Sequence, residues 1–420
     1  MTAFSFTPIA SPLHSQDELA TILAPCFDLL RAAGGTPAYM PSSGLAAPAS
    51  SEPLVLFIQT GGTERQALDL LDLTPPYVPL LLLAHPAHNS LPASLEILAR
   101  CRQLHRHARL HFIRPGGASA ADASPLAPFL ADYAAASAAL ALRTAHIGRL
   151  GASSDWLVAS SHAPDLVARR FGATLDPIPL DDLKAAYANT PLPDDGPEFE
   201  LYRTATATPG VPREAFADAV RLSRALAGLA ADHHLSALTI RCFDLLASPA
   251  VTGCLALALL ADAGIPCACE GDIPSTLGLL WVRLLTGRPA WMANPSDIDP
   301  DAGRALLAHC TIPFSLTTSH ALKTHFESGL SVAIDGTLPT GPCSVLRIGG
   351  ADLDLADAFD ATLLASHHRP GLCRTQAEIS LPSPAARHWL DAPLGNHVIL
   401  SPSPIAALFL TSFSFTLPPQ

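Results

Sequence analysis

Two apolar runs of strand length, "PLVLFI" (53–58) and "VPLLLLA" (78–84), contain no polar side chain. A strand with one wet face alternates apolar and polar residues, whereas an unbroken apolar strand must be covered on both faces. That describes the interior of a parallel sheet flanked by helices. The surroundings agree. "ELATILAPCFDLLRAAGG" (18–35) has helical spacing and stops at a glycine pair, and "QTGGTE" (59–64) turns the first run into the helical "ERQALDLLDL". The second run leads into "LPASLEILARCRQLHRHARL" (91–110), read as a helix with Pro92 in its first turn. The rhythm restarts at "AHIGRLGASSDWLVASS" (145–161) and continues as helix 213–231, strand 236–246, helix 250–264, strand "PCACEGD" and helix 273–286, with 189–212 as a polar loop. Beyond about residue 300, short β-like runs and glycines dominate. The expected fold is therefore α/β, with two doubly wound, mostly parallel domains over 1–144 and 145–299 and a β-rich domain over 300–420.

Composition narrows the function. At 49% hydrophobic and 15% charged residues, the 420-residue chain can bury several cores. A formal charge of −12 offers no basic face, so a nucleic-acid partner is not expected. The longest apolar runs are too short or too interrupted for a membrane span, and the first residues lack the pattern of an export signal. A soluble, cytoplasmic protein is the expectation. Its nine cysteines fall mostly in apolar segments and read as buried, reduced thiols. The spacing Cys267-x-Cys269 fits neither a zinc knuckle nor a thioredoxin-like motif.

The chemistry is sparse and local. In "CACEGDIPST" (267–276), Glu270 and Asp272 sit between two apolar segments, where a carboxylate needs a partner or a metal. Asp272 reads as the N-cap of the following helix, with Pro274 in its first turn; an ion pair of Glu270 with an arginine such as Arg241 is the plain alternative to a metal role. His85, His88, Asn89 and Ser90 follow an apolar strand, as residues of a cleft or as a helix cap with surface histidines. Asn294, His309, His320, His325 and Glu327 crowd into 34 positions of a largely apolar chain, and Asn396 and His397 head a late strand.

Taken in order, "TGGTE", "HNSLPASLEIL", "GASSDWLVAS", "TIRCFDLL", "CACEGDIPSTLGLLWVRLLTG", "MANPSDID", "AHCTIP", "HFESG", "CRTQ" and "PLGNH" resemble the L-fucose/L-arabinose isomerase superfamily, and within it the shorter fucose isomerase-like proteins. The resemblance implies two Rossmann-like domains and a β-rich C-terminal domain. It also implies an aldose–ketose isomerase working through a cis-enediol with a divalent cation, Mn²⁺, held by a Glu, an Asp and a late His. Carried onto this chain, the Glu is Glu270 and the His is His397. The Asp position, 24 residues after the Glu, is occupied by Asn294. Asparagine offers a carbonyl oxygen to a hard cation but accepts no proton as a base. The resemblance therefore leaves Glu270, Asn294 and His397 as the metal ligands, and Glu270, Asn294 and a substitute carboxylate, Glu327, as the catalytic set. His85, His88, Asn89, His309, His325 and Asn396 are the expected sugar contacts. Family members are oligomers with active sites between subunits, so residues 85–90 are expected to complete a neighbour's site. A lyase or epimerase step in the same cleft, or a sugar-binding protein that has lost its base, are the alternatives that Asn294 keeps open.

Overall fold

The computed structural model describes residues 3–38, 50–114 and 125–418. They fall into two compact units, Met1–Ala141 with Thr411–Gln420, and Leu142–Leu410.

The first unit is built on a five-stranded parallel sheet in the order β2-β1-β3-β4-β5, formed by β1 (Phe4–Ile9), β2 (Gly35–Pro37), β3 (Leu54–Ile58), β4 (Leu80–Ala84) and β5 (Ala108–Phe112). The two apolar runs are its central strands. Along β3, Val55 and Phe57 pack with helices α1 (Gln16–Ala32) and α4 (Ala127–Arg143). Leu54, Leu56 and Ile58 pack on the other face, against α2 (Glu64–Asp72) and α3 (Ser90–Gln103). Alternation is invisible in the sequence because both faces are covered. One expectation needs correcting here: helix α3 stops at Gln103, and the end of the stretch read as helix, "ARL", belongs to β5. That strand lies at the sheet edge and is only partly buried, so it lacks the apolar run that marks β3 and β4.

The second unit carries a four-stranded parallel sheet, β7-β6-β8-β9, made of β6 (His146–Leu150), β7 (Thr174–Ile178), β8 (Ala237–Ile240) and β9 (Cys267–Ala268). Its helices are α5 (Pro164–Phe171), α6 (Leu180–Asn189), α7 (Phe199–Thr204), α8 (Arg213–Asp232), α9 (Cys254–Asp262) and α10 (Ile273–Thr286). Helix α7 lies inside the stretch expected to be loop, and the predicted strand 236–246 is cut short at Ile240 by a 3-10 turn over Cys242–Leu245.

The β-rich part of this unit is a closed antiparallel barrel, β10-β11-β16-β15-β14-β17. Its strands are β10 (Trp291–Asp299), β11 (Arg304–His309), β14 (Gly341–Gly349), β15 (Leu355–Ser366), β16 (Thr375–Ser380) and β17 (Val398–Ser401). A separate hairpin pairs β12 (Ser319–Lys323) with β13 (Ala333–Thr337). The barrel thus begins at Trp291, some residues ahead of the point where the sequence changes texture. Among the described residues, no helix is long and apolar enough to cross a membrane.

Candidate functional site

In parallel sheets, ligands bind beyond the carboxyl ends of the strands, because loops there diverge and backbone groups are unpaired. In the second unit the segments beyond these strand ends line a cavity. Trp156 comes from the loop after β6, Cys242 and Phe243 from the turn after β8, and Glu270 from the turn after β9; all line one cavity of about 310 Å³. The barrel supplies the rest of the wall: Asn294 from β10, His309 and Cys310 from the end of β11, and Asn396 just ahead of β17. His325, Glu327 and Cys373 add to the polar lining, with Thr252, Cys254, Cys269 and Ser296.

Glu270 is held in an unusual way. Its φ is +66° and that of Gly271 is +72°, so two successive residues are left-handed. Such a conformation costs a non-glycine residue about 1–3 kcal/mol and persists only where its surroundings impose it. Here they do: Ser154 N–H donates to the Glu270 carbonyl at 2.8 Å, Ser153 Oγ to the Gly271 carbonyl at 2.7 Å, and Gly271 N–H to Ile240 at 3.0 Å. A Cβ on residue 271 would lie 2.6 Å from the Ala152 carbonyl oxygen and 2.6 Å from Ser153 Cα. Gly271→Ala is therefore expected to push the turn outward, costing about 1–3 kcal/mol and misplacing Glu270. Denaturant unfolding and metal titration of the variant check this, and an unchanged affinity would contradict it.

The Glu270 carboxylate accepts from Trp156 Nε1 at 2.6 Å through Oε2. Oε1 faces His397 Nε2 at 3.8 Å. His397 is fully buried, and its Nδ1 contacts Asp272 Oδ2 at 2.9 Å. With the proton on Nδ1 donated to that carboxylate, the Nε2 lone pair is left bare, and Nε2 has no hydrogen-bond partner among the described residues. Asp272 does two jobs, since its Oδ1 also accepts from Ser275 N–H at 2.7 Å as the N-cap of α10. Burial alone would raise the Asp272 carboxyl; the guanidinium of Arg347 at 3.1 Å, with the bonds from His397 and Ser275, outweighs it and holds the group well below the usual carboxylate range. Arg347 in turn donates to Ser275 Oγ and Ser160 Oγ, both at 2.6 Å. It runs past Gly395, where a Cβ would stand 2.5 Å from its Nη2.

His309 completes the group. Its Nδ1 lies 2.9 Å from Thr311 Oγ1, and its ring meets that of His397 edge-on at 5.6 Å. Donor atoms of Glu270, His309 and His397 all lie within 4.8 Å of one another. Two imidazoles and a carboxylate, one imidazole braced by a buried carboxylate, are a donor set that suits a divalent cation, and a bare buried nitrogen is what such an ion would satisfy. Burial, followed by the nearby His397, pushes His309 down to about 3. A base whose folded pKa lies below its unfolded value of about 6.5 stays neutral while the unfolded chain takes up a proton. In the metal-free protein this contribution to stability is complete above about pH 6.5 and is lost as the pH falls toward 3. Unfolding curves in EDTA should therefore show a slope between pH 6.5 and 5 that His309→Gln flattens.

The other expected residues fall as follows. Asn294 lines the cavity, and its amide donates to the Asn396 carbonyl at 3.2 Å. Glu327 is exposed at the rim, and the Nδ1 of His325 contacts Ser328 Oγ at 3.1 Å. His320 lies outside this lining and bonds the Leu201 carbonyl. Arg241 pairs with Asp155 and Asp244 rather than with Glu270. His85, His88 and Asn89 belong to the first unit. Both ring nitrogens of buried His85 are engaged there, with the Gln59 carbonyl at 3.0 Å and Ala87 N–H at 3.2 Å. His88 and Asn89 have positive φ at the turn into α3. Sequence reasoning did not assign roles to Trp156, Arg347 or the cavity thiols; Arg347 lies in a β-like run with nothing to mark it as a partner of Asp272, 75 positions earlier.

No family model matches the chain. A relative does. Over 189 residues the chain is 28% identical to the sulfoquinovose isomerase of Clostridium sp. (strain MSTE9), an alignment covering 43% of this chain and 42% of that protein. The chain therefore matches less than half the relative's length. The likeness supports a relationship to sugar isomerases, without singling out the fucose isomerase superfamily.

Proposed function

We propose that the chain is a metal-dependent sugar isomerase that interconverts an aldose and a ketose through a cis-enediol. The carrying observation is the bare, buried Nε2 of His397 facing the Glu270 carboxylate beside His309. Glu270, His309 and His397 would hold the cation, with the Asn294 carbonyl oxygen as a further ligand; the sequence resemblance to fucose isomerase-like proteins favours Mn²⁺. When bound, the cation supplies Lewis acidity that acidifies the C–H beside the sugar carbonyl. Glu270 takes the C2 proton of the aldose and returns it to C1 on the same face, which a single base can do because the enediol is cis. Trp156 fixes one carboxylate oxygen and so aims the other. Glu327 relays the hydroxyl proton, the part Asn294 cannot play. Trp156 and Phe243, edge-on at 5.0 Å, form an aromatic wall for the apolar face of a sugar.

The sugar-isomerase relative supports the reaction class, and its name points to a sulfo sugar. The cavity lining includes no Lys or Arg among the described residues, so an anionic substituent would draw its counter-charge from beyond this lining. The protein works in the cytoplasm as a homo-oligomer, with residues 85–90 serving a neighbouring copy's site; native mass and an activity loss in His88→Ala test this part.

The deciding experiment incubates the protein and Mn²⁺ in D₂O with neutral and sulfonated aldoses and ketoses, followed by NMR. Deuterium at C2 of an aldose or C1 of a ketose, abolished by EDTA, is the expected result. Exchange at C2 without ketose would instead select an epimerase, a reading Asn294 favours because its amide holds no transferable proton. No exchange by a folded, metal-loaded protein sinks the isomerase.

A further inference from the structure

Outside the Glu270 group, the cavity wall carries a second set of convergent donors. Cys254 opens helix α9, Cys310 follows β11, His325 follows β12 and Cys373 precedes β16. Four separate elements thus bring three thiols and an imidazole to one place. Donor atoms of Cys254, Cys310 and His325 lie within 4.8 Å of one another. Cys254 and Cys310 share one buried cluster, and Cys373 packs against it. All four residues line the cavity, so the cluster is open to an incoming ion rather than sealed in a core. The imidazole is oriented: its Nδ1 lies 3.1 Å from Ser328 Oγ and 3.4 Å from the Ser328 N–H.

We propose that Cys254, Cys310, His325 and Cys373 form a metal site, separate from the Glu270 group, that takes Zn²⁺. Thiolate sulfur with imidazole selects a soft or borderline ion and suits tetrahedral zinc, whereas the carboxylate-bearing group suits a harder one. The consecutive residues His309 and Cys310 thereby serve different ions. Binding converts the thiols to thiolates, each proton passing to solvent, so the sulfurs that otherwise pack as small apolar groups become ligands. This proposal does not depend on the isomerase reading.

Its test is the zinc content of the full-length protein after reconstitution with Zn²⁺ and gel filtration. In a Glu270→Gln/His309→Gln background, which removes two of the three donors of the other group, the protein should retain about one equivalent, and the double variant Cys254→Ser/Cys310→Ser in that background less than about a tenth of that. Because the double variant can misfold, wild type is also loaded with Co²⁺. A near-ultraviolet thiolate-to-cobalt charge-transfer band, and stoichiometric zinc release when a mercurial titrates the thiols, are the expected signatures. Absence of the cobalt band, or a folded double variant that keeps its zinc, overturns the proposal.

Discussion

Asp272→Ala is expected to destabilise the second unit by about 3–5 kcal/mol, the cost typical of breaking a buried ion pair from one side. The substitution strands the Arg347 guanidinium, 3% exposed, with no carboxylate, and removes the N-cap of α10 at the same time. It also frees Nδ1 of His397, so the imidazole loses both its tautomer and its orientation. Metal affinity should fall about 10–100-fold, as when the carboxylate behind a ligand histidine is removed. Asp272→Ala/Arg347→Met should regain part of the stability, because it removes the stranded charge, but none of the affinity. Since the Asp272 carboxyl is lower in the folded than in the unfolded chain, its contribution is complete above about pH 4 and is lost only as the pH falls below that. Denaturant unfolding at pH 7 with metal titration checks both effects; a loss under about 1 kcal/mol would show that the Arg347 network is not what holds the site.

Glu270→Gln should lower deuterium exchange by about 10²–10⁴-fold, the usual share of a positioned base. The fold should be spared. Glutamine is isosteric, its oxygen still accepts from Trp156 Nε1, and the left-handed backbone is held by Ser153, Ser154 and Ile240 rather than by the side chain. Retained exchange would move the base to Glu327. Asn294→Asp is the companion: if it raises exchange several-fold, asparagine there marks a site that has lost activity rather than one adapted to it.

Legibility in the sequence followed locality. The parallel strands could be read because burial on both faces removes polar residues from a contiguous run, and the Asp272 cap because Asp-x-Pro-Ser puts cap and first turn within four residues. Edge strand β5 was missed because partial burial leaves it polar. Glu270 and His397 were picked out through the family resemblance. His309 was expected to touch sugar, yet it stands with Glu270 and His397, the two candidate metal donors, and nothing local distinguishes the two parts. The thiols looked inert one by one; eight of the nine are buried and none is in a disulfide, but only the fold shows that Cys254, Cys310 and Cys373 pack together.

The barrel closes through β17, whose pairing with β10 and β14 seats His397 behind Glu270, 127 positions after it was added to the chain. A ribosome therefore releases the parallel sheet, with its strained Glu270 turn, long before the donor that completes the group. Until the last strand docks, the growing polypeptide carries only the Glu270 carboxylate and the His309 imidazole of the three candidate donors. On the proposed reading, metal choice would thus be deferred to the end of synthesis, when the finished cage rather than the first donor to emerge would do the choosing.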